Sequence, residues 1–212
     1  HGSRLYDASF EPGSRLAVGR LLHYYGIQQT VDEVGNTASA DSSGNVQSDS
    51  WCGWHNDNST ITGLVPALWL DEENGAPVSA PPGAGLYVEG GDGEQIHISA
   101  PADALGFQIG EAAQILSGGV VHATPHMVRG YISPIGTPLI SRETFALFIE
   151  PQWDAQLNPP PQTPYEAIFK GRAESKLIPP LRARLHTVPT LFGDLLRDSS
   201  QTYYAHNNPD SR

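Results

Sequence analysis

The sequence predicts a mainly β protein, a sandwich or barrel core followed by short peripheral helices, and three observations carry that expectation. The apolar segments are short and are cut by Gly, Pro, Asn and Asp clusters at strand-like spacing. The 22 Gly and 18 Pro make up about a fifth of the 212 residues. That share exceeds the usual ~12% and stays below the ~25–30% of low-complexity disorder. Strand-like segments come first and helix-like ones follow Pro151, an order that suits a β core with helices packed beside it. The length fits one medium domain, and 39% hydrophobic with 17% charged residues is enough to bury a core.

Along the chain, His1-Gly2-Ser3 reads as a tag remnant, and residues 1–14 as a lead-in. Residues 15–25 form an extended segment ending at Gly26, and 31–50 a polar loop without period. Residues 59–65 and 67–70 read as strands, and 71–83 as an irregular stretch. Residues 85–89 and 95–99, joined by a Gly90-Gly91-Asp92-Gly93 turn, make the clearest hairpin. Another strand is expected at 104–109, a short helix at 111–116 ended by Gly118-Gly119, and further strands at 120–128 and 144–149. Beyond Pro151 lie a Pro-rich connector, 158–164, and short helices at 165–170 and 190–196.

Twelve basic against 23 acidic side chains, a net charge of -11, argue against affinity through phosphate neutralisation. No nucleic-acid partner is expected. The lone Cys52 closes no intramolecular disulfide and supplies no Cys-based zinc site. No apolar run approaches the ~18 residues of a membrane span, and the N-terminus has no basic region followed by an apolar one. A soluble chain is the expectation, with the intracellular compartment favoured and the oligomeric state open.

The most informative local pattern is His55-Asn56-Asp57, at the start of a candidate strand. In an extended chain residues i and i+2 share a face, so His55 and Asp57 project together while Asn56 faces away. An imidazole beside a carboxylate, completed by a third ligand from a distant strand, is the facial triad that binds non-haem Fe(II) and leaves positions open. Taken alone, a His-x-Asp recurs by chance, and a surface pair or a turn explains it as well.

In context, the chain resembles the Fe(II)/2-oxoglutarate dioxygenases typified by isopenicillin N synthase and the plant flavonoid and gibberellin oxidases. The resemblance runs in order over residues 15–151. Arg20-Leu21-Leu22-His23-Tyr24-Tyr25 is similar to the strand before the metal site, and Trp54-His55-Asn56-Asp57-Asn58-Ser59-Thr60-Ile61-Thr62 to the His-x-Asp segment. Gly85-Leu86-Tyr87-Val88 and Asp92-Gly93-Glu94-Gln95-Ile96 follow the family's hairpin. Gln108-Ile109-Gly110-Glu111 follows its Gly-Asp corner, with Glu111 in place of Asp. Ser117 to Val128 resembles the segment holding the distal metal His, and Arg142-Glu143-Thr144 the Arg-x-Ser strand. Two insertions, 71–83 and 131–139, lengthen the spacing between these segments, and loops accept such additions at ~0.6 kcal/mol per doubling. The family's N-terminal helical region has no counterpart, so a minimal catalytic domain or an excerpt is expected.

The resemblance implies a double-stranded β-helix (jelly roll) with peripheral helices and a helical C-terminal tail: 15–151 as catalytic core, 152–212 as connector and short helices packing on it. It implies His55, Asp57 and His126 as ligands of Fe(II), with 2-oxoglutarate and O2 as cosubstrates. Arg142 would grip the far carboxylate of 2-oxoglutarate with two parallel hydrogen bonds, Thr144 would supply a hydroxyl, and Tyr25 a third contact. Two neutral imidazoles and one carboxylate leave the ferrous site at net +1. The substrate would be a small organic molecule, hydroxylated or otherwise oxidised.

Alternatives stand beside these assignments. His122 shares strand parity with His126, so geometry alone does not separate them. Arg142 could instead form a surface ion pair with Glu143 or Glu150. His23 and His97 read as surface or supporting residues, Trp51, Trp54 and Trp69 as core aromatics or pocket walls, and Cys52 as no ligand. At the level of function, an Fe(II) oxidase of the same fold without 2-oxoglutarate and a non-catalytic binding jelly roll are the competing readings.

Overall fold

The computed structural model describes residues 6–7, 15–31, 37–40 and 50–207. The His1-Gly2-Ser3 lead and most of the polar loop at 31–50 lie outside the described residues. Fifteen strands are described in chain order: β1 (Arg15–Tyr24), β2 (Ile27–Val31), β3 (Thr37–Ala40), β4 (Ser50–His55), β5 (Ile61–Leu64), β6 (Leu68–Asp71), β7 (Pro77–Val78), β8 (Gly85–Glu89), β9 (Gln95–His97), β10 (Gly106–Ile109), β11 (His126–Arg129), β12 (Ile132–Ser133), β13 (Ile140–Pro151), β14 (Gln156–Leu157) and β15 (Thr190–Leu191). Two α-helices join them, α1 (Glu111–Ser117) and α2 (Phe192–Asn207).

Two antiparallel sheets organise the molecule. In the larger, β13 is the central strand. β1 pairs along one side of it from Arg15↔Pro151 to Tyr24↔Arg142, while β5 and then β6 line up end to end along the other. β10 extends this sheet beyond β5, and β7 beyond β6. The second sheet has the order β4-β11-β8-β9. From β4 to β13 the chain passes repeatedly from one sheet to the other. Short runs separated by turns are what this requires, since each crossing interrupts the strand.

Side chains bridge the two sheets. Trp51 of β4 stacks on Tyr24 of β1 (5.6 Å between rings) and packs on Trp69 of β6 (5.8 Å). Gln108, pointing inward from β10, reaches His126 of β11. A second cluster lies beside α1, where Ala112 and Ile115 pack with Leu157, Ile168, Leu181, Leu185, Phe192 and Leu195. The chain after Pro151 thus shares a core with α1.

The most buried polar contact ties these parts together. Arg184 and Glu111 both have 0% exposed side chains. They form a fork-to-fork pair, Nη1 to Oε2 at 2.5 Å and Nη2 to Oε1 at 2.6 Å. Ser199 Oγ of α2 accepts a further bond from Arg184 Nη1 at 2.8 Å. α1 begins against the β4–β5 connection, where the Glu111 and Ala112 amides donate to the Asp57 and Asn58 carbonyls. Gly110 is needed there, because a Cβ would lie 2.0 Å from the Ser59 carbonyl oxygen.

Several sequence expectations change in detail, and the polar loop expected at 31–50 contains β3, paired with β2. The strand expected over 120–128 is confined to His126–Arg129, because Gly118 and Gly119 adopt positive φ (68° and 84°) and the chain ahead of Pro125 turns rather than extends. The expected helix at 165–170 is a 3-10 turn, Tyr165–Phe169, entered from Pro164. The expected helix at 190–196 starts as β15 and continues as the longer α2, whose polar second half lacks the apolar period that would have revealed it. The irregular stretch at 71–83 contains the short β7.

Removing one partner of a buried pair leaves the other charge uncompensated. Arg184→Met should therefore lower the unfolding free energy by about 3–5 kcal/mol, while Glu111→Leu combined with Arg184→Met should cost less than Arg184→Met alone. Urea denaturation of the variants reads both values.

Candidate metal centre

β4 ends at His55, and β11 begins at His126, directly across from it in the ladder. The two rings lie 4.2 Å apart. Asp57 is two residues beyond His55, past the end of the strand, and the turn into β5 brings its carboxylate beneath both rings. Oδ1 lies 3.8 Å from His55 Nε2 and 3.6 Å from His126 Nε2. The ligand atoms of the three residues all fall within 4.8 Å of one another, and among the described residues no other such group of three occurs. Asp57 is 8% and His126 6% exposed.

Each side chain is held so that one atom remains for a metal. His55 Nδ1 contacts the Gly53 carbonyl at 2.8 Å and His126 Nδ1 the Thr124 carbonyl at 3.1 Å. A proton on each Nδ1 satisfies those carbonyls and turns Nε2 toward Asp57, the orienting device usual for metal-bound histidines, and Gln108 Nε2 lies 3.1 Å from His126 Nε2, where a metal would sit. Asp57 Oδ2 accepts bonds from Thr62 Oγ1 (2.6 Å) and Gln108 Nε2 (2.8 Å). Its Oδ1 is the oxygen nearest both Nε2 atoms. Two imidazole nitrogens and one carboxylate oxygen on one side of a site are the donor set that suits non-haem iron.

The electrostatics agree with this crowding. Burial and the neighbouring His55 push His126 down to about 4, against the pull of Asp57 and the Thr124 carbonyl. Burial also works against charge on His55, but contacts with Cys52, the Gly53 carbonyl and Asp57 outweigh it and push the group up to about 9. Without a metal the pair holds its proton on His55. A metal ion would displace it, because the ligating form of imidazole is neutral.

His122 is not brought into this group. It sits in the turn-rich segment before β11, beside Gly171, where burial and then Arg172 lower its pKa. Cys52 Sγ lies 3.7 Å from His55 Nδ1 without joining the ligand group. His23 pairs with Glu143 at 2.7 Å, and His97 bonds the Ala84 carbonyl at 2.9 Å.

Arg142 is 7% exposed, on the face of β13 that looks toward the second sheet. Its guanidinium lies 5.4 Å from the Tyr24 ring and 6.0 Å from that of Trp69. Neither surface ion pair considered for it forms, since Glu143 is taken by His23 and Ser141 and Glu150 lies toward the far end of β13, opposite Leu16. Arg142 Nε and Nη1 are buried without a hydrogen-bond partner. Burial lowers the Arg142 pKa, while Tyr24 and Cys52 counter it. A buried cation with unmatched donors is costly unless an anion meets it. Thr144, two residues along, donates its hydroxyl to the Val65 carbonyl at 3.0 Å. Tyr25 is 73% exposed and packs edge-on against His23 at 4.1 Å. Its expected place beside Arg142 is filled by Tyr24, because Tyr24 is the cross-strand partner of Arg142 and shares its face.

Sequence patterns do not reveal the residues that hold Asp57. Thr62 shares the inward parity of β5 and Gln108 that of β10, yet neither belongs to a motif. For Asn56 strand parity says only that it faces away from the metal residues. Its Nδ2 donates to Glu111 Oε1 at 2.9 Å, and its amide to the Tyr203 hydroxyl at 3.1 Å.

No protein-family model matches the sequence, and no curated protein matches it. Among solved structures, a full-length Neurospora crassa protein in complex with alpha-KG and thymine is similar at TM-score 0.51 and 20% identity, over 92% of this chain and 47% of that one. The same Neurospora protein in complex with alpha-KG gives TM-score 0.50 and 18% identity, over 90% and 46%. A protein assigned to the 2OG-Fe(II) oxygenase family in Caulobacter crescentus gives TM-score 0.48 and 20% identity, over 87% and 45%. The likeness to the Neurospora protein is one of fold, and this chain spans about half the length of the structures it matches.

The geometry makes metal binding separable by residue. His126→Ala and Asp57→Ala should abolish Fe(II) binding in anaerobic calorimetry, and His122→Ala should leave it unchanged. Thr62→Val, which frees Asp57 to turn, should weaken it by about 10- to 100-fold.

Proposed function

We propose that the chain is the catalytic part of a non-haem Fe(II)- and 2-oxoglutarate-dependent dioxygenase acting on a small organic substrate. The observation that carries this reading is the pairing of a His55/Asp57/His126 donor set with a buried, unpartnered guanidinium at Arg142. Strands that alternate between β1-β13-β5-β10 and β4-β11-β8-β9 fit the double-stranded β-helix of such enzymes, with residues 15–151 as its core and 152–212 packed on it.

Each protein group has a definable task. His55, Asp57 and His126 would hold iron on one side and leave the opposite positions to a chelating 2-oxoacid and to O2. A ferrous ion so bound supplies oxygen activation coupled to decarboxylation of 2-oxoglutarate to succinate and CO2. Arg142 would receive the far carboxylate. Tyr24, whose ring lies 5.4 Å from the guanidinium, stacks on Trp51 of β4, the strand that ends at His55. Thr144 would need to turn from the Val65 carbonyl to reach that carboxylate. Tyr24 supports the third contact better than Tyr25, its ring lying against the guanidinium. Thr62 and Gln108 would keep Asp57 presenting a single oxygen. The thymine seen with the Neurospora protein is a small planar ligand of that protein, and a small-molecule substrate is proposed here without further identity.

Anaerobic addition of Fe(II) and then 2-oxoglutarate should produce the weak visible absorption of the metal–oxoacid chelate, and turnover in air should release succinate. His55→Ala should abolish the band. Arg142→Met should keep metal binding and raise the Kd for 2-oxoglutarate about 10- to 150-fold, the loss of a charged hydrogen-bonded contact worth ~1.5–3 kcal/mol. Absence of the band in the wild-type protein loaded with Fe(II) would sink this reading.

A further inference from the structure

A cavity of about 370 Å³ opens beside Arg142, lined by Leu64, Val65, Trp69, Ala84, Leu86 and Ile98 among others. None of His55, Asp57 and His126 lines it. Its volume is within the ~300–1,000 Å³ of small-molecule sites, which are typically apolar with a few placed polar groups. Ile98 and Val78 at the rim are 40% and 36% exposed, so the cavity communicates with solvent. Among the described residues that line it, Arg142 carries the one full charge. The neighbouring His97 is engaged by the Ala84 carbonyl and stacks on Tyr87 at 4.7 Å.

We propose that this cavity is a binding site for an apolar monocarboxylic acid, its carboxylate on Arg142 and its hydrocarbon part against Leu64, Trp69 and Leu86. The inference goes beyond the dioxygenase reading and does not require it. A cation that is 7% exposed with Nε and Nη1 unmatched calls for an anion. A guanidinium is suited to a carboxylate in particular, through two parallel hydrogen bonds. The remaining wall offers contact to hydrocarbon and no second cation, so a diacid lying wholly in the cavity would leave one carboxylate unpaired. A monoacid would match both parts. Where 2-oxoglutarate also uses Arg142, the two acids exclude each other, and the apolar acid acts as a competitive inhibitor.

Calorimetric titration of the whole chain with octanoate, acetate and octylammonium tests the site. Octanoate should bind, acetate at least tenfold more weakly for want of a tail, and octylammonium not at all. Arg142→Met removes the cation and Ala67→Phe fills the cavity from its lining. Each should weaken octanoate at least tenfold, with Co(II) uptake by the His/Asp group reporting that the variant is folded. Ala67→Phe decides alone should Arg142→Met not fold. No octanoate binding at millimolar concentration, or equal binding by wild type and Ala67→Phe, would overturn the proposal. Octanoate binding that survives with no 2-oxoglutarate chelate would support the cavity site while removing the dioxygenase reading.

Discussion

The structure depends on one buried ion pair more than on any other contact. Glu111 and Arg184 have no exposed side-chain surface, and two charges removed from water are tolerated only when the geometry is good and the leftover donors are used. The geometry is good and all but one donor is used, Arg184 Nε being left without a partner. The pair is bidentate, and Ser199, Asn56 and the Pro179 carbonyl take up further bonds. Through Asn56 the pair grips the link between His55 and Asp57. Through Ser199 it grips α2. The segment after Pro151 and the ligand-bearing turn are thus fixed by the same charges.

The metal residues illustrate a second constraint, that a carboxylate must be half occupied to be useful. A free carboxylate would rotate and offer either oxygen. Thr62 and Gln108 hold Oδ2 of Asp57, which leaves Oδ1 beside both Nε2 atoms. They come from β5 and β10, neighbours in the larger sheet, whereas His55 and His126 belong to the second sheet. The site is therefore correct only when the two sheets are seated on each other, and Trp51 between Tyr24 and Trp69 helps to set that spacing.

Much of this is legible in the residues. Strand-sized apolar runs, the hairpin around Gly90-Gly91-Asp92-Gly93 and the His-x-Asp pattern need only local information, and the structure contains the hairpin and brings His55, Asp57 and His126 together. What the sequence hides is register and long-range pairing. Tyr24 and Tyr25 are indistinguishable until the ladder with β13 sets which one faces Arg142. His122 and His126 share parity, and only the start of β11 at His126 separates them. Arg184 lies 73 positions from Glu111, with no motif to join them. Gln108 looks like any polar residue on a half-buried strand.

Both imidazoles take their orientation from the carbonyl of the residue two positions earlier, Gly53 for His55 and Thr124 for His126. The instruction for aiming each ring is thus written in main chain as well as in the side chains that touch it, Gln108 at His126 and Cys52 at His55. Main-chain carbonyls persist through substitution. Side chains farther from the rings can therefore drift while the two nitrogens keep their aim. The two imidazole nitrogens are thus less exposed to substitution around them than the Asp57 oxygen, which two side chains hold.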